Sequence, residues 1–309
     1  MATTTSRTYV RASIPGDAPA IRSLFKSSRQ VYLTMGEEDL VAAVNKGQVL
    51  LHLQRTKAAP IALAAMAMLP EERPATLHES SPNRVFLRGV AIRRKGSPTT
   101  SIRQMLGTLV RMPRQQTEIL IAYSSDAWST RAYNTVGMML AEKVRYYELD
   151  NLPRRRWADP PPSSERIVIE KATPADLRTL SMLDAVTFDP LWHIAARDLN
   201  DLMVRGPMLV AATGPFIVGY VSVLPEQSIA TIARLAVHPQ WQSQGIGRRL
   251  LIAGLRAAQP YRCGRALLNT QATNVRSQQL YRSMKFRLTG SHFSVFTQEL
   301  PITVTGTPR

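Results

Sequence analysis

The stretch VHPQWQSQGIGRRLL, residues 237–251, places two glycines and two arginines between Gly245 and Arg249, directly after a polar run. A strand is predicted to end at Val237, and an amphipathic helix follows the glycines. The start of a helix offers unpaired N–H groups and a partial positive charge, and glycines let a bulky anion approach the backbone. These features predict a phosphate-binding loop, to which Arg248 and Arg249 add charge-assisted contacts. The apolar face of the helix consists of Leu250, Leu251, Gly254, Leu255 and Ala258.

Two known types of phosphate-binding loop do not match this segment. The chain has no G-x-x-x-x-G-K-S/T segment and no G-x-G-x-x-G segment followed by an acidic residue. The nucleotide-binding and dinucleotide-binding loops with those signatures are therefore excluded. Taken alone, the two glycines are equally compatible with a plain turn between a strand and a helix.

The residues around the glycines resemble the cofactor loop of the GCN5-related N-acetyltransferases (GNAT). The segment Gln242-Ser243-Gln244-Gly245-Ile246-Gly247 is similar to the Q/R-x-x-G-x-G/A loop with which this family grips the pyrophosphate of acetyl-CoA. The preceding Leu235-Ala236-Val237 resembles the family's splayed strand, whose backbone pairs with the pantetheine arm and stabilises the oxyanion. The resemblance implies acetyl-CoA as co-substrate, no metal, and direct attack by an acceptor amine on the thioester.

A second signature lies further along the chain, in LNTQATNVRSQQLYRSMKF, residues 268–286. It resembles the family's strand followed by N-x-x-[A/S]-x-x-L-Y-x-x-x-G-F, with Lys285 in place of the usual glycine. Asn274 and Ser277 then belong to the cofactor site, and the resemblance implies that Tyr281 protonates the departing thiolate. Asn274 and Tyr281 are seven positions apart, about two helical turns, and so share a face. The alternative for Tyr281 is a core aromatic.

The general base is not identified by the resemblance. Many family members carry a glutamate on the strand before this helix, and Asn269 stands at that catalytic position here. Proton removal from the amine would then go through water or through a residue from elsewhere, unless the amine is already neutral. The side chains available for the second alternative are Asp184, Asp189, His193 and Glu226.

The segment TFDPLWHIAARD, residues 187–198, lies between the first two predicted helices of this half. In the family this region lines the acceptor pocket, so Phe188, Trp192 and His193 are predicted to contact substrate. The alternative, equally weighted, is that these aromatic residues pin the two helices together. The sequence does not identify the acceptor, which is expected to be a small-molecule or peptide amine.

The chain repeats one series of predicted elements, β-α-α-β-β-β-α-β-α-β, on either side of residues 151–164. The separating segment contains three consecutive prolines and a charge run, which is typical of a linker. We therefore predict an α+β fold with two tandem GNAT-like domains, 1–150 and 165–309. Each is expected to be a mixed, mostly antiparallel sheet flanked by helices.

The first domain is predicted to be a degenerate copy that does not bind acetyl-CoA. Aligned on the second half, it has Thr100 at the position of Gly245 and Ile102 at that of Gly247. Beta-branched residues adopt left-handed angles only at a cost, and their side chains fill the space that a pyrophosphate needs. The apolar periodicity of this half is intact, so we expect a structural partner of the catalytic domain.

Composition bounds the remaining function classes. The net charge is +17, with about +10 after residue 231 and about −3 in residues 161–230. An anionic cofactor accounts for this distribution at least as well as RNA or DNA does. An aromatic content of 6% without an RNA-binding signature also disfavours nucleic acid. One cysteine, Cys263, excludes an intrachain disulfide, and the five dispersed histidines give no metal pattern.

No apolar run approaches the roughly 20 residues of a membrane helix, and a single cysteine fits the reducing cytoplasm. The sequence thus predicts an acetyl-CoA-dependent N-acetyltransferase in its second half. Two alternatives stay open. One is a non-catalytic module that senses acyl-CoA or binds nucleic acid, and the other is an acyltransferase with a different acyl donor.

Overall fold

The computed structural model describes residues 7–71, 81–152, 156–157 and 167–303. These residues form two compact units. Unit 1 comprises the described residues up to 143 together with those from 293 onward, and unit 2 comprises the described residues of 144–292.

The units differ from the predicted contiguous segments in the assignment of two strands. Residues 144–150 belong to unit 2, whereas residues 293–303 belong to unit 1. Most of the predicted linker, 151–164, lies outside the described residues.

Unit 1 is a sheet flanked by helices. In chain order its elements are β1 (Thr8–Ala12), α1 (Ala18–Ser27), β2 (Gln30–Leu33), α2 (Glu37–Asn45), β3 (Val49–Gln54), β4 (Ile61–Pro70), β5 (Asn83–Ile92), α3 (Pro98–Arg111), β6 (Glu118–Ser124), α4 (Ala127–Val136) and the start of β7 (Met139–Asp150). The strand order is β1-β3-β4-β5-β6, and the pairing is antiparallel except between β5 and β6. Residues 294–300 pair with β6 and complete the sheet.

Unit 2 repeats this architecture. Its elements are the end of β7, then β8 (Val168–Lys171), α5 (Leu177–Thr187), α6 (Ala196–Arg205), β9 (Met208–Thr213), β10 (Phe216–Glu226), β11 (Ile229–Val237), α7 (Ile246–Ala257), β12 (Arg265–Gln271), α8 (Val275–Ser283) and the start of β13 (Arg287–Leu300). The strand order is β8-β9-β10-β11-β12-β7, with β11–β12 as the parallel pair. The predicted α+β class, the mostly antiparallel sheets and the repeated series are confirmed.

The sheet of unit 2 carries an apolar core on each face. Neighbouring residues of β10 separate the two cores, because successive side chains of a strand point to opposite faces. Val221 packs with the buried leucines of α7, and Tyr220 packs with Leu180 and Leu199 of α5 and α6. The predicted apolar face of α7 is buried as expected. A Cβ on Gly254 would lie 3.0 Å from Val223 Cγ2, so this glycine lets the helix pack closely on the sheet.

One strand of unit 1 has no counterpart among the described residues of unit 2. Strand β2 pairs antiparallel with the end of β5, from Gln30 opposite Ile92 to Leu33 opposite Gly89. No strand is predicted here from the sequence, because four residues carry too little alternation to stand out. In unit 2 the segment after α5 contains a 3-10 helix, Pro190–Trp192, instead.

Candidate functional site

Strands β11 and β12 diverge after a short paired stretch. They are hydrogen-bonded only over residues 229–232 of β11, whereas β10 and β11 stay paired as far as Val237. His238 N donates to Val218 O on β10. By the alternation of an antiparallel pair, the N–H and C=O groups of Leu235 and Val237 therefore point to the other edge, toward the opening between β11 and β12.

The loop after β11 ends in a left-handed glycine that begins α7. Gly245 is the N-cap residue, with φ 77°, and an added Cβ would meet nothing within 4 Å. No side chain caps this helix, so the N–H groups of its first turn are left for another partner. Helix α3 of unit 1 differs, because its N-cap Ser97 accepts a hydrogen bond from Thr100 N through its side chain.

The diverging strand end, the glycine loop and the N-termini of α7 and α8 surround one cavity of about 550 Å³. The predicted residues that line it are Phe188, Leu235, Val237, Gln242, Ser243, Gly245, Gly247, Arg248, Asn274 and Ser277. The structure thus brings together residues from both sequence signatures. Six further lining residues were missed, namely Thr187, Trp241, Thr273, Val275, Arg276 and Leu280. All six adjoin a predicted residue in the sequence, which is the signal that could have found them.

Polar contacts fix the walls of the cavity. Gln242 Nε2 donates to Val237 O at 2.9 Å, and Arg276 donates to Gln242 Oε1. Asn274 Oδ1 accepts from Ser277 N at 3.0 Å and caps α8. The cavity therefore presents positive charge and two helix N-termini, an arrangement suited to a phosphate-bearing ligand.

The remaining predicted residues lie outside the cavity lining. Ala236 and Ile246 are buried in the cores on either face of the sheet. Arg249 donates to Ile167 O at 2.8 Å, so its role is to hold the strand start rather than to line the site. Gln244 and Asn269 are exposed. The backbone carbonyl of Trp192 accepts a hydrogen bond from Arg234 Nη2 at 2.6 Å.

Tyr281 is buried behind the cavity wall. Its ring packs between Tyr147 and Phe286, with centroids 6.0 and 6.1 Å away. Burial raises the pKa of Tyr281 to about 12, against a smaller lowering by its hydrogen bond with Ser277. Because Ser277 lines the cavity, this contact links the phenol to the site, and at neutral pH the phenol carries its proton.

The four side chains considered as general base all lie outside the cavity lining. Three are carboxylates with partners: Asp184 binds Arg234, Asp189 accepts from Leu191 N, and Glu226 pairs with Arg205. The fourth, His193, is buried and has Nε2 at 2.9 Å from Phe188 O. A carbonyl only accepts, so Nε2 carries the proton, and Nδ1 has no partner within the described part of the chain. The structure therefore provides no carboxylate base among the described residues that line the cavity.

In unit 1 the equivalent opening is filled by the chain itself. Strand β2 occupies the edge of β5 that corresponds to the open edge of β11. Thr34 N continues this pairing by donating to Arg88 O at 2.8 Å. The structure also corrects the alignment on which degeneracy was predicted. Ser97, not Thr100, matches Gly245 as the N-cap residue, and Ile102 is a buried core residue of α3.

The described residues contain neither a metal-binding cluster nor a membrane helix. No group of three or more His, Cys, Asp or Glu side chains among them is placed to hold a metal ion. No helix within the described ranges has the length and apolar character of a membrane span.

Comparisons with known proteins agree with this geometry. Residues 176–286 match the model of the acetyltransferase (GNAT) family. In structure, the chain is similar to a GCN5-related N-acetyltransferase from Sphaerobacter thermophilus, with 16% identity, a TM-score of 0.55, and coverage of 96% of this chain and 97% of that one. It is also similar to a tandem GNAT protein from the clavulanic acid biosynthesis pathway, with 13% identity, a TM-score of 0.54, and coverage of 96% and 100%.

A third solved structure, a GCN5-related N-acetyltransferase from Kribbella flavida, has 11% identity, a TM-score of 0.58, and coverage of 96% of this chain and 72% of that one. At such identities these likenesses establish the fold, and their coverage fits two tandem domains. A sequence search of curated proteins finds no match.

Proposed function

We propose, from the premise that residues 176–286 form a domain of the acetyltransferase (GNAT) family, that unit 2 transfers the acetyl group of acetyl-CoA to an acceptor amine. The observation that supports this most strongly is the cavity at the divergence of β11 and β12, into which the glycine loop and two helix N-termini open. A volume of about 550 Å³ falls within the range of small-molecule sites.

Each part of the cofactor has a fitting group in the cavity. The pyrophosphate would accept from the first-turn N–H groups of α7, which Gly245 leaves accessible, with Arg248 and Arg276 adding charge. The amide groups of the pantetheine arm would pair with the outward C=O of Leu235 and N–H of Val237, because Val237 O already accepts from Gln242 Nε2. These contacts would place the thioester at the divergence of the two strands.

The chemistry follows from holding two reactants together. The neutral amine attacks the thioester carbonyl carbon, a C–N bond forms, and the C–S bond then breaks. The outward N–H of Leu235 would stabilise the oxyanion. Tyr281 would give its proton to the thiolate, and the proton of the amine would leave to water, since no carboxylate among the described residues lines the cavity. Positioning of the two reactants supplies much of the rate enhancement.

Unit 1 would not bind acetyl-CoA. The strand edge that the pantetheine arm needs is already paired with β2, and the N-terminus of α3 is capped by Ser97. The strand edge is satisfied by β2, and the Thr100 N–H of α3 by Ser97, so a cofactor would have to displace a strand. Closure by β2, rather than the side chains of Thr100 and Ile102, would therefore prevent binding.

Release of coenzyme A in the presence of amines, peptides and aminoglycosides tests the proposal. Gly245→Val should abolish turnover, because a valine is strained at φ 77° and its side chain obstructs the pyrophosphate. Gly214→Val is the matched control. Gly214 also has a positive φ, 53°, with nothing within 4 Å of an added Cβ, but it lies in the β9–β10 turn away from the cavity.

The two variants separate the possible results. Loss of turnover in Gly245→Val with activity retained in Gly214→Val supports the assignment of the loop. Equal activity of Gly245→Val and wild type would contradict it. No amine-dependent release of coenzyme A by the wild-type protein would contradict the proposed reaction itself.

A further inference from the structure

A buried polar cluster lies under the α5 side of the site and is not used by the mechanism above. Asp184 is almost fully buried and accepts from Arg234 Nε and Nη2, each at 2.7 Å, and from Tyr220 OH at 2.6 Å. Arg234 Nη2 also donates to Trp192 O at 2.6 Å. The guanidinium is therefore held by three directed contacts from the strand β11 to α5 and to the segment after it.

Arg234 does not use all of its hydrogen-bond donors within the described part of the protein. A guanidinium has five N–H donors. The Nε donor and both Nη2 donors are used, by Asp184 and by Trp192 O. None of the described residues accepts from Nη1, and Nη1 is not one of the buried atoms that lack a partner, so solvent reaches it. The N–H donors of one nitrogen, Nη1, on a rigidly held cation are thus available to a ligand.

These donors adjoin the cavity through Phe188. The guanidinium carbon of Arg234 lies 3.8 Å from the centroid of the Phe188 ring, and Phe188 lines the cavity together with Thr187. Arg234 also directly precedes Leu235, which lines the cavity from β11. Arg234 is not itself a lining residue, so its free Nη1 lies beside the Phe188 wall of the cavity, whereas the groups suited to phosphate lie at the starts of α7 and α8.

Unit 1 shows that the fold does not require this ion pair. Helix α1 follows a capped 3-10 helix ending at Asp17, and α5 follows one ending at Asp176. Counted from these residues, Phe25 takes the place of Asp184. Gly89 takes the place of Arg234, because each is the next residue after the bulge in its strand.

The unit 1 pair is apolar and tightly packed. A Cβ on Gly89 would lie 3.1 Å from Phe25 Cζ, so the aromatic ring fills the space that Arg234 takes in unit 2. Replacing a buried ion pair with packed apolar groups is often neutral or stabilising. Keeping the pair only beside the open cavity is therefore best explained by contact with a ligand.

We propose that the acceptor amine carries a carboxylate, one oxygen of which accepts from Nη1 of Arg234. This inference rests on the proposed function, because it names the acceptor class of that reaction. A hydrogen bond from a guanidinium nitrogen to a carboxylate oxygen is charge-assisted and stronger than one between neutral groups. Asp184 balances the charge of Arg234, so recognition depends on directed hydrogen bonds rather than on net charge. The remainder of the acceptor would pack against the Phe188 ring.

The test compares amines that differ only in this group. Wild-type protein and acetyl-CoA are assayed for coenzyme A release with glycine, L-alanine, L-leucine, L-phenylalanine and β-alanine, and with the carboxamide of each. A carboxamide leaves more of its amine unprotonated at neutral pH, so amine protonation works against the expected result. We expect at least one free acid to exceed its carboxamide roughly tenfold or more in kcat/KM, which corresponds to about 1.4 kcal/mol.

Two variants assign the preference to Arg234. Arg234→Lys keeps a charge beside Asp184 but loses the Nη1 donors, and should reduce the ratio of acid to carboxamide to near one. Tyr220→Phe removes a different contact of the same Asp184 and should keep the ratio. If Arg234→Lys does not fold, the wild-type comparison stands by itself.

The outcomes distinguish this inference from the proposed function. Equal kcat/KM for every acid and its carboxamide, or faster turnover of a polycation such as spermidine than of every acid, would overturn the inference and leave acetyl transfer standing. An unchanged ratio in folded Arg234→Lys would also overturn it. Failure of the wild-type protein to release coenzyme A with any amine would overturn both.

Discussion

Single residues with left-handed backbone mark the parts of unit 2 that depart from regular structure. Ser243 and Gly245 in the loop both have positive φ. Lys285 also does, with φ 67°, and its counterpart after α4 in unit 1 is Gly137, with φ 88°. The resemblance to the family predicted a glycine where Lys285 stands. The structure shows the reason, because the helix ends in a conformation that glycine adopts at little cost.

Lys285→Gly should therefore stabilise unit 2. An exposed lysine gains nothing from burial there, and relief of the left-handed conformation is worth about 1 kcal/mol. We expect a rise of a few degrees in the thermal midpoint of unit 2, measured by calorimetry. Gly137→Lys should lower the midpoint of unit 1 by the same mechanism. A lower midpoint for Lys285→Gly would contradict this account of the strain.

Tyr281 gives the prediction closest to the chemistry. Its pKa of about 12 means that the phenol is protonated throughout the neutral range, as a general acid requires. Tyr281→Phe should lower turnover roughly 10²-fold with little change in acetyl-CoA affinity. In the wild type, kcat/KM should rise with pH as the acceptor amine loses its proton. It should show no falling limb from Tyr281 until pH approaches 12.

Tyr133→Phe is the matched control for Tyr281→Phe. Tyr133 holds the same position in α4 of unit 1, seven residues after the N-cap, and is fully buried. Its substitution should leave turnover unchanged. Unchanged turnover in Tyr281→Phe, under conditions where chemistry limits the rate, would assign Tyr281 a packing role only.

Among the elements, the contact between the first helix and the central strands differs between the two units. Between the first helix and the central strands, unit 1 uses Phe25 against Gly89, and unit 2 uses Asp184 against Arg234. Burial lowers the pKa of Arg234, but the hydrogen bond and charge of Asp184 outweigh it, so the net direction is upward. Removing Arg234 is therefore expected to leave the Asp184 carboxylate unpaired in the core.

A pair of variants measures that cost. Arg234→Met should destabilise unit 2 by about 3–5 kcal/mol, because it leaves the buried Asp184 carboxylate without its cation. Adding Asp184→Leu should recover most of the loss, since the pocket then becomes apolar as in unit 1. Urea unfolding gives both values. Equal destabilisation in the single and double variants would show that packing, not the unpaired charge, determines the effect.

Elements with long, regular patterns were predictable from the sequence, and elements defined by distant partners were not. The amphipathic stripe of α7 and the strand β11 follow from local periodicity. Strand β2 is too short to show a pattern, and its role depends on pairing with β5. The assignment of residues 293–303 to unit 1 depends likewise on pairing with β6, which local sequence does not encode.

In the site, too, features encoded locally were predictable and features that depend on distant partners were not. The loop and the start of α8 were predicted because each is a contiguous motif. Arg234 was missed, because its importance comes from Asp184, 50 positions away in the chain. The error at Thr100 has a local cause. The loop between β5 and α3 is shorter than that between β11 and α7, so alignment without gaps shifted the helix start.

For the whole molecule, the repeated fold is used asymmetrically. Unit 2 keeps an open strand edge and an uncapped helix start, whereas unit 1 closes both with its own residues. Within the second half the charge is uneven, since about +10 lies after residue 231 and about −3 in residues 161–230. Positive charge near the cavity would favour an anionic cofactor over long range as well as in contact.

The central claim is that acetyl-CoA binds to unit 2 and not to unit 1, and titration calorimetry of the whole protein with acetyl-CoA tests it most directly. We expect one site per chain, and we expect the binding heat to disappear in Gly245→Val while it persists in Gly214→Val. A stoichiometry of two would contradict the claim, because it would require cofactor binding where β2 and Ser97 already satisfy the backbone. One site that survives in Gly245→Val would contradict it as well, because acetyl-CoA would then bind without the glycine loop or bind to unit 1.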